Sequence, residues 1–374
     1  MPVKYQICSN CIMDTSDPDI IFSDLGVCNY CTDYKKTKKQ EQASETNTNF
    51  TQLIESIKKN QCLEKYDCLL GLSGGVDSSY AALILHQLGL RVLVVHLDNG
   101  WNSELSAINI EHVLKKTGFD LFSEVLDWNE FRLMQLSYLK SGVIDLEALT
   151  DHAINATLYK TALKYNIKYI FTGSNPSSES VLPLSWRYDQ KLTDSKNIKG
   201  ITKRFGKFKP KYFPLISLYQ YFLYRFFYKI NQIPLFNYIK FDKMEALNLL
   251  KSESNWQDYG GKHYESIITR IYQSYILIVR FGIDKRRAHY SSEIIHGELS
   301  REDALKLISK PPISDMQLAY DLDYFKKKLK IDDNQFNKIL STKLVSHLHY
   351  RNNKLDRTIL FSLNKFLKCL RELL

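Results

Sequence analysis

Two pairs of cysteines and one serine- and glycine-rich turn carry the chemistry legible in this chain. Cys8-x-x-Cys11 and Cys28-x-x-Cys31 are separated by sixteen residues. Each pair forms a knuckle, and two knuckles bring four thiolates to one tetrahedral ion, the arrangement of a zinc site. Four thiolates leave no position open for water, so the zinc is expected to be structural. The other readings of four such cysteines are redox dithiols or simple packing. Asp14, Asp17 and Asp24, between the knuckles, read as turn residues. The turn is Ser73-Gly74-Gly75-Val76-Asp77-Ser78-Ser79. Its glycines let backbone N–H groups approach the oxygens of an anion, and a helix beginning there adds its partial positive charge. It lacks the Gly-Lys-Ser/Thr ending that goes with gamma-phosphoryl transfer. Asp77 is the expected magnesium-directed carboxylate, since an unpaired anion would repel bound phosphates.

Strands and helices on either side position that turn. Cys68-Leu69-Leu70-Gly71-Leu72 has the length and character of a buried strand, and residues 80–88 read as a helix stopped by Gly89. Residues 91–97, 121–126 and 168–172 are further strands, with helical patterns between them at 103–117, 128–139 and 151–164. The alternation predicts an α/β fold with a doubly wound parallel sheet, in which ligands sit at the carboxyl ends of the strands. Three strand ends carry polar or glycine-rich residues: 73–78, Asp98 to Asn102, and Gly173-Ser174-Asn175. We expect residues 1–34 to form the four-cysteine module and 35–62 a polar linker with a lead-in helix. Residues 63–200 are read as the nucleotide-binding domain, 201–310 as a helical and aromatic substrate- and partner-facing region, and 311–374 as C-terminal helices.

The 374 residues suffice for two domains and a large core. A formal charge of +10 favours anionic partners without choosing among them. No apolar leader and no run long enough to span a bilayer is seen, and the cysteine pairs suit a reducing compartment, so a cytoplasmic protein is expected. Residues 203–243 hold fourteen aromatics and nine Lys/Arg in forty-one positions. Such a stretch could lie in a membrane interface, dock a partner or stack on nucleic acid, but packing on the core or on a second subunit is the plainer expectation. Gly260-Gly261-Lys262-His263 is a flexible turn ending in cations, and Asp284-Lys285-Arg286-Arg287 groups three positive charges.

The turn at 73–79 resembles the pyrophosphate loop (PP-loop) of enzymes that split ATP into AMP and pyrophosphate. Ser73, Gly74, Gly75, Val76, Ser78 and Ser79 would then cradle the leaving group, with Asp77 on magnesium. Lys262, Lys285 and Arg286 are candidates to neutralise it, and a solvated basic face is the alternative for 285–287. Asp98 is placed for ribose or metal, Gly173 for close approach of adenine, and His263 and Glu265 to orient or deprotonate a nucleophile. Across Cys8-Ser-Asn-Cys11-Ile-Met-Asp14, Gly26-Val-Cys28-Asn-Tyr-Cys31, 73–79, Asp98-Asn-Gly-Trp101, Thr172-Gly-Ser-Asn175, Glu179-Ser180, Trp186, Tyr259-Gly-Gly-Lys262-His263-Tyr-Glu265-Ser266 and Asp284-Lys285-Arg286, the chain resembles the N-acetyl sugar amidotransferases of bacterial surface-polysaccharide biosynthesis. The resemblance reaches from Cys8 to about Pro312. It implies ATP-dependent conversion of a sugar acetamido group to an acetamidino group, releasing AMP and pyrophosphate. It further implies O-antigen or lipopolysaccharide biosynthesis, with Trp101, Ser174, Asn175, Glu179 and Glu265 near the sugar. A separate glutaminase and a cyclase-like barrel subunit would supply ammonia. No nucleic acid is expected as a partner, and a homo-oligomer is possible. The other functional readings are a tRNA-thiolating enzyme, for which a third cysteine pair is missing, and a non-catalytic scaffold, which would have no need of Asp77 and the serines.

Overall fold

Five strands form one parallel sheet in the order β3-β2-β1-β4-β5 in the computed structural model, which describes residues 5–41, 46–261 and 264–360. They are β1 (Cys68–Gly71), β2 (Val92–Asp98), β3 (Asp120–Val125), β4 (Tyr169–Thr172) and β5 (Asn231–Pro234). The alternation of side chains along a strand divides the core in two. Cys68, Leu70, Val92, Val94 and Phe171 pack on one face against the helices Val76–Gln87, Glu104–Thr117 and Lys243–Ser254. Leu69, Leu93, Val95 and Ile170 pack on the other, against Ala156, Tyr159 and Ala162 of the helix Ala148–Lys164. Helices therefore cover both faces, the doubly wound arrangement expected.

The chain leaves β1 in one direction to β2 and β3, then crosses back to lay β4 on the other side of β1. Ligands of such sheets bind where the direction reverses, at the carboxyl ends of β1 and β4. Both expected loops, 73–78 and 173–175, lie there. The strand β5 is an addition to the sequence reading: it extends the sheet into residues 201–310 by pairing with β4, Tyr169 to Asn231 through Thr172 to Pro234. A four-residue strand ending in proline gives little pattern, and Pro234, lacking an N–H, is tolerated because β5 is an edge.

The helical side of the molecule has its own core around Trp101, Phe131, Met134, Tyr272, Phe325 and Phe336. A helix over 265–280 is expected; it runs Ile267–Ile271, widens by one residue per turn over Tyr272–Ile276, and ends at Phe281. The residues 203–243 are part core and part surface: Ile216, Leu218, Tyr224 and Ile230 are buried, while Tyr219 and Phe227 are not. No helix among the described residues is long and apolar enough to cross a membrane.

Candidate active site and metal centre

The geometry of the turn begins with Gly74. Its φ of +84° is the left-handed region, and a Cβ there would sit 2.7 Å from the Ser106 carbonyl, so only glycine serves. The turn's outward groups are tied back. The indole of Trp256 donates to the Gly74 carbonyl at 2.9 Å, and the hydroxyl of Tyr259 donates to the same oxygen. Ser106 Oγ donates to the Ser73 carbonyl at 3.0 Å. The serines bond among themselves: Ser73 Oγ and Ser78 Oγ are 3.2 Å apart, and Gly75 N donates to Ser73 Oγ at 3.3 Å. The helix Val76–Gln87 starts at once, with Gly75 as its N-cap and no side chain capping it. The first amides of a helix have no partner within it, so this turn presents donors and a positive dipole end to an anion.

The loop after β4 closes on it. A Cβ at Gly173 would lie 3.0 Å from Ser78 N and 3.1 Å from the Asp77 carbonyl carbon, so the missing side chain makes room for the turn's own backbone. Asn175, 1 % exposed, donates through Nδ2 to Asp77 Oδ1 at 2.9 Å. Glu179 accepts from the backbone N–H of Asn175 at 3.3 Å, and Ser177 N donates to Asn175 Oδ1 at 3.0 Å, which sets the side-chain amide that orients Asp77. These residues, with Ser174, line a cavity of about 530 Å³ over the turn. Glu265 also lines it, its Oε1 3.4 Å from Ser73 Oγ. A backbone clamp sets that carboxylate: Ser103 N donates to the Glu265 carbonyl at 2.9 Å and Ile267 N to the Trp101 carbonyl at 2.9 Å.

Of the residues expected at the site, Ser73, Gly75, Val76, Asp77, Ser78, Gly173, Ser174, Asn175, Glu179 and Glu265 line this one cavity. Ser79 is buried in the helix's first turn. Others are elsewhere. Trp101 is wholly buried, its indole donating to Gln135 Oε1 at 3.0 Å and packing on Trp128 and Phe325. The indole is core and cannot touch a sugar; Trp101 acts through its carbonyl. Asp98 accepts from Gly100 N at 2.8 Å and faces a separate depression of about 680 Å³ with His96, Asn102 and Ser103. Lys285 is paired with Glu147 at 3.1 Å, away from the cavity. Arg286 is forked onto Asp284 and caps the carbonyl of Lys310 at 3.0 Å; it lines an adjoining cavity of about 510 Å³. Neither cation forms a solvated face, and neither reaches the turn. Lys262 and His263 lie outside the described residues. His152 is buried, with Nδ1 donating to the Lys191 carbonyl and Nε2 accepting from Ile216 N, and it faces neither ligand.

Lys243 went unrecognised as a site residue in the sequence. It is the one Lys or Arg among the described residues lining the main cavity, and it pairs with Glu293 at 3.4 Å. Both also line the adjoining cavity, so the two spaces share a wall. No local motif marks Lys243; it closes a basic stretch and opens a helix.

The four cysteines converge as the spacing predicts. Cys8, Cys11, Cys28 and Cys31 are buried with their sulfurs all within 4.8 Å of one another. The pairs Cys8–Cys31 and Cys11–Cys28 are 3.9 and 3.7 Å apart. Tetrahedral zinc with bonds near 2.3 Å requires sulfurs about 3.8 Å apart, so the residues fit the ion. Amides of Asn10, Cys11 and Cys28 point at Cys8 Sγ at 3.4, 3.4 and 3.2 Å, as suits thiolates. Arg301 donates to the carbonyls of Cys8 and Cys11, and Arg287 pairs with Asp14 at 3.0 Å. The module therefore braces the helix Arg286–His296, whose Glu293 lines the cavity.

Residues 265–366 match the family model described as LPS biosynthesis protein WbpG-like, C-terminal domain, and residues 67–133 match the tRNA methyl transferase HUP domain. No curated protein matches the chain. Solved structures with similarity include an NMN synthetase from Francisella tularensis, 14 % identical over 77 % of this chain and 98 % of that one, TM-score 0.32. An NH3-dependent NAD synthetase from Campylobacter jejuni is 11 % identical over 76 % and 95 %, TM-score 0.32. A predicted subunit of tRNA methyltransferase from Methanocaldococcus jannaschii is 16 % identical over 49 % and 75 %, TM-score 0.28.

Proposed function

We propose that this chain is a PP-loop ATPase of the WbpG-like surface-polysaccharide biosynthesis family, a reading supported by the family matches at residues 265–366 and 67–133, and that it amidates an N-acetylated sugar at the expense of ATP. The amide oxygen attacks the α-phosphorus and pyrophosphate leaves. Ammonia adds to the activated carbon, the C–O bond to AMP breaks, and an acetamidino group remains as one proton is released. The observation that carries this reading is the pairing of a glycine-rich turn at a helix N-terminus with carboxylates at the switch point of the sheet, in one cavity that shares lining residues with a second.

In this reading, the turn's amides and the hydroxyls of Ser73 and Ser78 hold the departing pyrophosphate. Asp77, oriented by Asn175, would hold magnesium, which supplies charge neutralisation across the phosphates. Lys243 adds a positive charge from the cavity's far wall. Glu265 is the group positioned to take a proton from the attacking nitrogen, at the mouth of the turn. The acceptor sugar reaches the α-phosphorus from the adjoining cavity, past Gly260 and Gly261. A glutaminase and a cyclase-like subunit deliver the ammonia. Thiolation of tRNA is disfavoured by the cysteines: Cys68 is fully buried, which pushes its thiol well up, and outside the knuckles only Cys62 is exposed among the described residues.

The test is incubation with ATP, magnesium, ammonium and nucleotide-linked N-acetylated sugars. AMP and pyrophosphate should appear in equal amounts, and mass spectrometry should find one sugar with an oxygen replaced by NH. Glutamine alone should not substitute for ammonium. AMP release that leaves every sugar unchanged would remove the acceptor assignment, and no AMP release at all would remove the ligase reading.

A further inference from the structure

Residues 195–241 contain ten Lys/Arg and not one Asp or Glu. The chain's formal excess of +10 therefore lies entirely within this stretch, and the remainder balances. The same stretch holds an inverted helix. Leu218–Phe222 continues without a break through a wider turn, Leu223–Phe227. Its inner side is satisfied: Leu218 and Tyr224 are buried, and Tyr224 stacks on Tyr159 of the sheet-covering helix at 6.0 Å between ring centres. The outer side of a surface helix normally carries polar residues. Here it carries Tyr219, Leu223, Phe226 and Phe227, which are 58, 46, 57 and 72 % exposed. Phe222 stacks on Phe226 at 5.3 Å, which makes the stripe continuous. Exposed Lys203, Lys207, Lys209 and Lys211 precede it and exposed Lys229 follows it. Tyr212, 65 % exposed, lies under the ammonium of Lys211.

We propose that this face seats the protein on an anionic lipid bilayer as a peripheral, non-spanning contact. A convex stripe of phenylalanine and leucine enters the headgroup–acyl boundary, and lysines on both flanks meet lipid phosphates. Charge complementarity selects this occupant, because the stretch that carries the exposed apolar side chains holds five exposed lysines close to them in the chain and no carboxylate. Single-stranded nucleic acid uses spaced aromatic platforms in a groove; a ridge with Leu223 in its middle has no such platform. The stripe residues line neither cavity of the proposed active site, so the inference stands independently of the reaction.

The test is co-sedimentation of the full chain with vesicles of phosphatidylcholine alone and of phosphatidylcholine mixed with phosphatidylglycerol. Binding is expected to the anionic vesicles and to weaken as salt is raised. Phe226→Ser combined with Phe227→Ser should lower partitioning by at least about tenfold. Lys209→Glu with Lys211→Glu should lower it further and remove the preference for anionic lipid. These side chains are exposed, so the circular dichroism and thermal unfolding of the variants should match the wild type. Two outcomes overturn the proposal. One is wild-type protein that stays in the supernatant with anionic vesicles at low salt. The other is an oligomer by sedimentation velocity that Phe226→Ser/Phe227→Ser converts to a monomer while vesicle binding is unchanged, which would assign the stripe to a second copy of this chain.

Discussion

Replacing Gly173 by alanine tests how the phosphate-binding turn is held. The glycine's φ is ordinary, so alanine's backbone preference is not at issue; space is. The added Cβ would lie 3.0 Å from Ser78 N, and 3.1 Å from both the Asp77 carbonyl carbon and Ser78 Cα. All three are main-chain atoms of the first turn of the helix Val76–Gln87, which cannot rotate aside as a side chain can. Either the end of β4 or the turn must give by a few tenths of an ångström. Overpacking of this kind costs about 1–3 kcal/mol. In a chain of this size that lowers Tm by about 1–4 °C. In the proposed reaction the displaced atoms are the donors to pyrophosphate, and a misplacement short of 1 Å is expected to slow AMP formation by about tenfold or more. Calorimetric binding of pyrophosphate separates two meanings of the glycine. If it admits adenine, Gly173→Ala weakens ATP and leaves pyrophosphate unaffected; if it seats the turn, both weaken together. Gly71→Ala is the control, since its Cβ would meet only Leu158 Cδ2 at an ordinary 3.5 Å. A Gly173→Ala protein with wild-type Tm and pyrophosphate affinity would refute the packing argument.

Asp77→Asn should abolish AMP formation while leaving thermal unfolding within about 0.5 kcal/mol of wild type, because Asn can still accept from Asn175; full activity in that variant would remove the magnesium role. Cys28→Ser should reduce bound zinc, measured by atomic absorption, from one per chain to a small fraction and lower Tm with it; retained zinc would mean that the four sulfurs are not its ligands. The third prediction concerns pH. Burial lowers the His152 imidazole to about 4, with both ring nitrogens committed and Nε2 acting as an acceptor. The unfolded chain binds the proton near pH 6.5, so stability from this residue is intact above that value and is lost as pH falls toward 4. The full loss is roughly 3 kcal/mol. Stability against urea measured across that window should fall less steeply in His152→Gln than in wild type; identical slopes would mean that the imidazole is not the group responsible.

The sheet, the glycine-rich turn at the end of β1 and the four-cysteine cluster were legible because each rests on local pattern. The strands 68–71 and 92–98 are apolar runs bounded by turns, and the cysteine spacing defines its own geometry. What was not legible depends on partners far away in the chain. The three cations at 285–287 read as one group, yet each is claimed separately: Lys285 by Glu147, Arg286 by Asp284, Arg287 by Asp14. A run of like charges says nothing about where carboxylates 138 or 273 residues away will be folded. Lys243 shows the converse, a single lysine with no motif that the edge strand and the following helix bring to the cavity wall.

Several residues of the recognised motifs turn out to serve the turn without facing the cavity. Trp101 is sealed in the core, but its carbonyl receives Ile267 N and so fixes the strand-like segment that carries Glu265. Tyr259, together with Trp256 from outside the motifs, grips the Gly74 carbonyl and so fixes the direction of that peptide. Asn175 sets the carboxylate of Asp77. An anion site made of main-chain amides has few side chains of its own to specify it. Its precision has to come from groups that restrain the backbone, and these are large, buried and distant in sequence. A motif match therefore marks such a turn without giving the role of individual residues: the ring of Trp101 looks made for stacking on a substrate, yet it packs inside while its carbonyl holds the segment that carries Glu265.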